Sequence, residues 1–252
     1  MAVSLSILVE EADRYLNAAS IADYCPNGLQ VEGRPQVRKI VSGVTASQAL
    51  LDAAVDAGAD LVLVHHGYFW KGENPCITGM KHRRLKTLFK HDVSLLAYHL
   101  PLDIHPDVGN NVQLAARLGI TVEGPLDPRD SKVVGLIGSL DMPQTALAFS
   151  RQVAQVLGRE PLVVCSGQVV RRVGWCTGGG QGYIDKAIEA GVDLFLTGEA
   201  SEQTFHSACE NRVSFIAAGH HATERYGVQA LGDYLARRFA IEHVFIDCPN
   251  PV

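Results

Sequence analysis

The chain has 252 residues, 47% of them apolar and 19% charged, with a formal net charge of −5. That length builds one large domain or two small ones around a substantial core, in an ordinary soluble balance. The charge gives no argument for broad electrostatic attraction to nucleic acid, and no apolar run approaches the ~20 residues of a membrane span.

The opening "MAVSLSILVEEADRYL" carries early acids and no basic start, unlike a signal peptide, and residues 4–18 have helical spacing. "KIVSGVT" (39–45) reads as a strand, "SQALLDAAVDAG" (47–58) as a helix ended by Gly58, and "DLVLVHH" (60–66) as a buried strand. The basic run "KHRRLK" (Lys81–Lys86) reads as a solvated helix face. "RRLKTLFKH" (83–91) is helical, "VSLLAYH" (93–99) is a strand, and "NNVQLAARLG" (110–119) is a helix closed by Gly119. The stretch 124–132, "GPLDPRDSK", is the expected linker, being rich in Pro, Gly and Asp. Six cysteines without a Cys-x-x-Cys pair read as reduced, mostly buried thiols, and a cytoplasmic location is expected.

Beyond the linker the pattern repeats. "VRKIVSGVTASQALLDAAVDAGADLVLV" (37–64) aligns without a gap with "VRRVGWCTGGGQGYIDKAIEAGVDLFLT" (170–197), and about a third of the positions are identical. "VSLLAYH" (93–99) then matches "VSFIAAG" (213–219). The expected fold is α/β, with two related units at 1–126 and 127–239 and mixed, mainly parallel sheets. The final stretch, 240–252, is free to return to the first unit.

In open α/β sheets, ligands sit at the carboxyl ends of strands. Three such exits carry coordinating residues: His65 and His66, then "YHLPLDIH" (98–105) with Asp103, then "GHHATE" (219–224) with His220 and Glu224. A helix starting near Ala222 would put His220 and Glu224 close to one face of its first turn. Three imidazoles and two carboxylates suit a first-row divalent ion such as Fe, Mn or Zn, the site falling where the two units meet. Adjacent strand residues point to opposite faces, so His65 and His66 fit two ions better than one. A strand-end histidine also serves as an ordinary hydrogen-bonded residue, and it is the company of acids at matching exits that favours metal. His99 and His221 are assigned as proton carriers, although a structural or solvent role fits them equally. His105 is a weaker candidate of the same kind. Gly178, Gly179 and Gly180 of "TGGGQG" can offer amides to a substrate phosphate or simply make a tight turn. "PNGLQ" (26–30) reads as a turn. Tyr68, Phe69 and Trp70 can wall a planar base but fit core packing better.

"HHGYFWKG", "HLPLD", "TGGGQG", "GHHATE" and "PNGLQVEG" together resemble the Ngg1-interacting-factor-three-like family over the whole chain. Its bacterial members are called GTP cyclohydrolase 1 type 2 homologues, and the chain is similar to their YbgI group. The resemblance implies two divalent ions per subunit. His66, Asp103 and Glu224 would hold one, and His65, His220 and Glu224 the other, with Glu224 bridging. It also implies a homohexameric ring with sites facing an internal cavity.

Two functions stay open. One is a hydrolase in which two ions ~3.5–4 Å apart turn water into a hydroxide nucleophile near neutral pH. The resemblance implies attack on the purine ring of GTP, while another nucleotide, cyclic amidine, amide or phosphoester would suit the same core. The other is a non-enzymatic metal-holding ring, or an interaction module for nucleic acid or protein.

Overall fold

The computed structural model describes residues 2–130 and 133–252. They form two units: residues up to Val108 with Gly227–Pro249, and Gly109–Tyr226 with Asn250–Val252. The first begins with β1 (Val3–Ser4), α1 (Leu5–Leu16), β2 (Gly28–Val31), β3 (Gln36–Val37) and β4 (Lys39–Thr45). It continues through α2 (Gln48–Asp56), β5 (Leu61–His66), α3 (Gly79–His91), β6 (Ser94–Ala97) and α4 (Leu100–Ile104). The second runs through α5 (Asn110–Leu118), β7 (Ile120–Pro125), β8 (Leu136–Thr145), α6 (Ala146–Leu157), β9 (Leu162–Val164) and β10 (Val169–Cys176). It closes with α7 (Ile184–Glu189), β11 (Leu194–Thr197), α8 (Glu202–Asn211), β12 (Ser214–Ala217) and α9 (His220–Thr223). Most of α10 (Arg225–Phe239) and all of β13 (Glu242–Phe245) belong to the first unit.

The first unit's main sheet has the order β13-β4-β5-β6-β2, parallel except for β2 at the edge. Period-two alternation sorts its side chains. Ile40, Leu61, Leu63 and Leu96 pack with Leu8 and Ala12 of α1 and Val228, Leu231 and Leu235 of α10. Val41, Val62, Val64 and Leu95 pack with Leu50 and Ala54 of α2 and Leu85 and Leu88 of α3. Each strand is apolar on both faces because helices cover both, as parallel pairing requires. Ser47 starts α2 by accepting from the Leu50 amide, the role such a cap residue plays.

The second sheet has the order β7-β8-β10-β11-β12-β9, with β10, β11 and β12 parallel and the outer strands antiparallel. Trp175, Leu194, Leu196 and Ile216 pack with Leu114 of α5 and Phe149 and Val153 of α6. On the other face, Phe195 and Phe215 pack with Ile184 and Ala187 of α7 and Ala208 of α8.

Several expectations change. The expected linker at 124–132 is not a boundary: Gly124 and Pro125 end β7, which pairs with β8 in the second sheet, and 126–130 follow it. Ser131 and Lys132 of that stretch lie outside the described residues. The division therefore falls after Val108 rather than after 126, and α10 leaves the second unit for the first unit's core. β13 pairs in parallel with β4. "PNGLQ" supplies Gly28 at φ 101° and then the edge strand β2. Lys81 is buried rather than solvated, its ammonium held by the Asn74 carbonyl and Glu73. Of the six cysteines only Cys176 is fully buried, and Cys76, Cys165 and Cys209 are exposed. Among the described residues, no helix is long and apolar enough to cross a membrane.

Candidate metal centre

In the first unit, β5 ends in His65, fully buried, and His66. Mid-strand, alternation would separate them; at the strand's exit their ring centroids lie 4.5 Å apart. His65 Nδ1 meets the Tyr98 carbonyl at 2.9 Å, and His66 Nδ1 meets Thr45 Oγ1 at 3.1 Å. Tyr98 is itself anchored, its hydroxyl donating to Asp13 at 2.6 Å. After β6 the chain turns into α4, whose buried Asp103 places Oδ1 3.5 Å from His65 Nε2. His99 opens that turn, with Nδ1 2.7 Å from Asp23 Oδ1. Burial alone would raise the Asp23 carboxyl, but hydrogen bonds from His99 and Asn27 outweigh it and lower the pKa to about 2. The neighbouring Cys25 thiol is pushed up to about 12 by burial and the Asp23 charge. One donor atom each from His65, His66 and His99 lies within 4.8 Å of the other two.

In the second unit, Gly219 at φ 100° turns the chain from β12 into α9. The helix expected near Ala222 is two helices, α9 and α10, broken at Glu224. His220 sits between two carboxylates: Nδ1 is 2.6 Å from Glu199 Oε1, and Nε2 is 3.1 Å from Glu224 Oε2. Burial disfavours the charged ring, yet the two acids prevail and raise His220 to about 9. Gly178, at φ 65°, lies so close that a Cβ there would meet the Glu224 carboxylate and His220. Glycine is required twice over, by the left-handed backbone and by the acid beside it.

The residues proposed from sequence thus gather within each unit: His65, His66, His99 and Asp103 in the first, His220 and Glu224 in the second. Asp103 and His65 face each other across the 3.5 Å given above. The amides of Gly178 and Gly180 donate to the hydroxyls of Thr223 and Thr197, bonds that fit the tight-turn reading of Gly178–Gly180. His221 is buried in α9, its amide on the Val252 carbonyl. His105 is structural, with Nε2 on the Tyr15 carbonyl and Nδ1 accepting from the amides of Asp107 and Val108. Tyr68 is core, its hydroxyl on the Ala46 carbonyl, whereas Trp70 lies edge-on to His99 at 4.9 Å.

Sequence reasoning missed Thr45, Asp23 and Glu199. Glu199 had a signal: in the internal alignment it occupies the place of His66. Asp23 had none, because the His99 ring and the Leu100 amide that it holds stand 76 and 77 residues away.

The donors fit a divalent ion. His65, His66, His99 and His220 each tie Nδ1 to an oxygen, which orients the ring, the usual support of a metal-bound histidine. Nitrogen and carboxylate oxygen without thiolate suit first-row divalent ions.

Fold and site together define an α/β protein with histidines and acids gathered where its parallel strands end. The chain belongs to the family Duf34/NIF3 (NGG1p interacting factor 3), whose profile matches residues 3–251. It is 74% identical over 251 residues to the GTP cyclohydrolase 1 type 2 homolog of Pseudomonas aeruginosa, covering 100% of both chains. The protein of the same name from Escherichia coli K12 is 57% identical over 240 residues, 94% of each. A solved structure described as "protein ybgI, unknown function" superposes with a TM-score of 0.95 at 55% identity, covering 99% of this chain and 100% of the other.

Proposed function

We propose that the chain is a metal-dependent hydrolase that opens a ring in a nucleotide or related cyclic amidine, using two divalent ions. Carried over from the family resemblance, His66, Asp103 and Glu224 would hold one ion. His65, His220 and Glu224 would hold the other, with Glu224 shared. The observation that carries this reading is the common build of the imidazoles, each with Nδ1 secured to an oxygen. When bound, the ions would supply Lewis-acid activation of water at neutral pH. The chain's own contribution is to fix the rings: a carbonyl holds His65, a hydroxyl His66 and a carboxylate His220. The relatives' name, GTP cyclohydrolase 1 type 2 homolog, supports a nucleotide as the first substrate to try.

The test is protein reconstituted separately with Fe, Mn and Zn and offered a nucleotide panel, with products read by mass. Ring-opened product is expected with at least one metal, and Glu224→Gln should abolish it while assembly is kept. No product with any metal would overturn the hydrolase and favour the metal-holding scaffold. The homohexameric ring belongs to the same proposal; light scattering giving about six times the 27.2 kDa chain mass is the expected result. The matched hydrogen bonds of the two sheets, compared below, support reading the units as copies of one ancestor.

A further inference from the structure

His99 is held more firmly than a surface histidine needs. Asp23 Oδ1 takes its Nδ1, Asp23 Oδ2 accepts the Leu100 amide at 2.9 Å, and Asn27 Nδ2 donates to the same Oδ2 at 2.9 Å. Asn27 Oδ1 accepts the backbone amide of His99 at 2.7 Å. The ring and both flanking peptides are therefore fixed by one segment, 23–27, whose Asp23 side chain is only 2% exposed. Trp70 packs edge-on against the imidazole and limits its rotation. With a carboxylate accepting at Nδ1, a proton stands there, and in the neutral ring the lone pair is then at Nε2. The ring lies 5.1 Å from that of His65 and 5.9 Å from that of His66, centroid to centroid, and the three offer donor atoms within 4.8 Å of one another. A histidine with a purely structural role, such as His105, spends both nitrogens on the backbone. His99 instead repeats the build of His65 and His66.

We propose that His99 is a further metal-ligating residue, joining His65 and His66, and that Asp23 is the positioning residue that fixes its tautomer. This rests on the metal reading above and replaces the proton-carrying role expected from sequence. Three imidazoles with carboxylate company form a donor set of the kind zinc, iron and cobalt accept.

The full chain is loaded with Co(II) or Zn(II), and affinity and stoichiometry are measured against a chromophoric chelator. His99→Ala is expected to weaken one ion by about 100-fold and to change the Co(II) visible spectrum; Asp23→Asn is expected to weaken it by about tenfold. Ring-nitrogen NMR of the intact protein provides a readout independent of any variant's folding. The metal-free His99 ring should be protonated at Nδ1, and its Nε2 resonance should move when Zn(II) is added. Unchanged affinity and spectrum in a folded His99→Ala variant, or an Nε2 resonance that Zn(II) leaves in place, overturns the proposal while the metal reading stands. Wild-type protein that retains no stoichiometric metal overturns both.

Discussion

Asp60 in the first unit accepts from the amides of Arg38 and Lys39, and Asp193 in the second accepts from those of Arg171 and Arg172. The Ser94 amide donates to the Asp60 carbonyl, and the Ser214 amide donates to the Asp193 carbonyl. Asp92 and Arg212, both left-handed, end α3 and α8 at equivalent places. At the amino ends of their parallel strands the units are wired alike. At the carboxyl ends they diverge. The first presents His65, His66 and His99, and holds two of them by neutral oxygens. The second presents glycines and acids, with one imidazole caught between Glu199 and Glu224. A strand framework tolerates this because a strand's exit contributes little to packing, so its side chains are free to vary while the buried residues behind them are not.

The largest effect expected from breaking this comparison lies at the conserved wiring. Asp60→Ala should cost about 3 kcal/mol, because it strands two backbone amides and the Arg34 guanidinium that Asp60 meets at 2.8 Å. Asp193, less buried, should cost about 1 kcal/mol on the same change. Urea unfolding of both variants checks the ratio, and equal costs would break the equivalence.

Next comes the acid behind His220 in the second unit. Glu199→Gln should weaken metal binding by about 10–100-fold at nearly unchanged fold, measured by chelator competition. It should also alter the pH response of the metal-free protein. His220 is raised from 6.5 to about 9, so its stabilising contribution is fully present below 6.5 and is lost as pH climbs through 9. Without the Glu199 charge that loss should begin at lower pH, which thermal melts from pH 6 to 10 can follow.

Gly178→Ala should cost about 1–2 kcal/mol through its left-handed backbone alone. It should further displace Glu224, so metal affinity should fall by more than the stability loss explains. The smallest effect belongs to the neutral oxygen of the first unit. Thr45→Val removes one hydrogen bond from His66 and should change metal affinity by less than tenfold.

The framework was legible where periodicity was strong. β4 at 39–45 falls where "KIVSGVT" was read, and Gly58 and Gly119 lie in the left-handed region just after the helices they were expected to end. Edge strands were not legible, because β2 and β9 have four and three residues and borrow their stability from a neighbour. The linker misled because Pro, Gly and Asp mark a hairpin connection as readily as a boundary. Within the site, residue type and spacing pointed to the candidate donors His65, His66, Asp103, His220 and Glu224. The residues behind them, Asp23, Thr45 and Glu199, were hidden because a hydrogen-bond partner leaves no periodic trace.

Cys25 shares the loop that clamps His99, and its thiol stays protonated throughout the physiological range. A protonated sulfur is a poor nucleophile and a poor competitor for cations. Alkylating reagents should therefore modify Cys76, Cys165 and Cys209 first and spare Cys25. Fluorophores or spin labels can then be attached with the histidine cluster undisturbed, so that a response to added ions reports on the cluster itself.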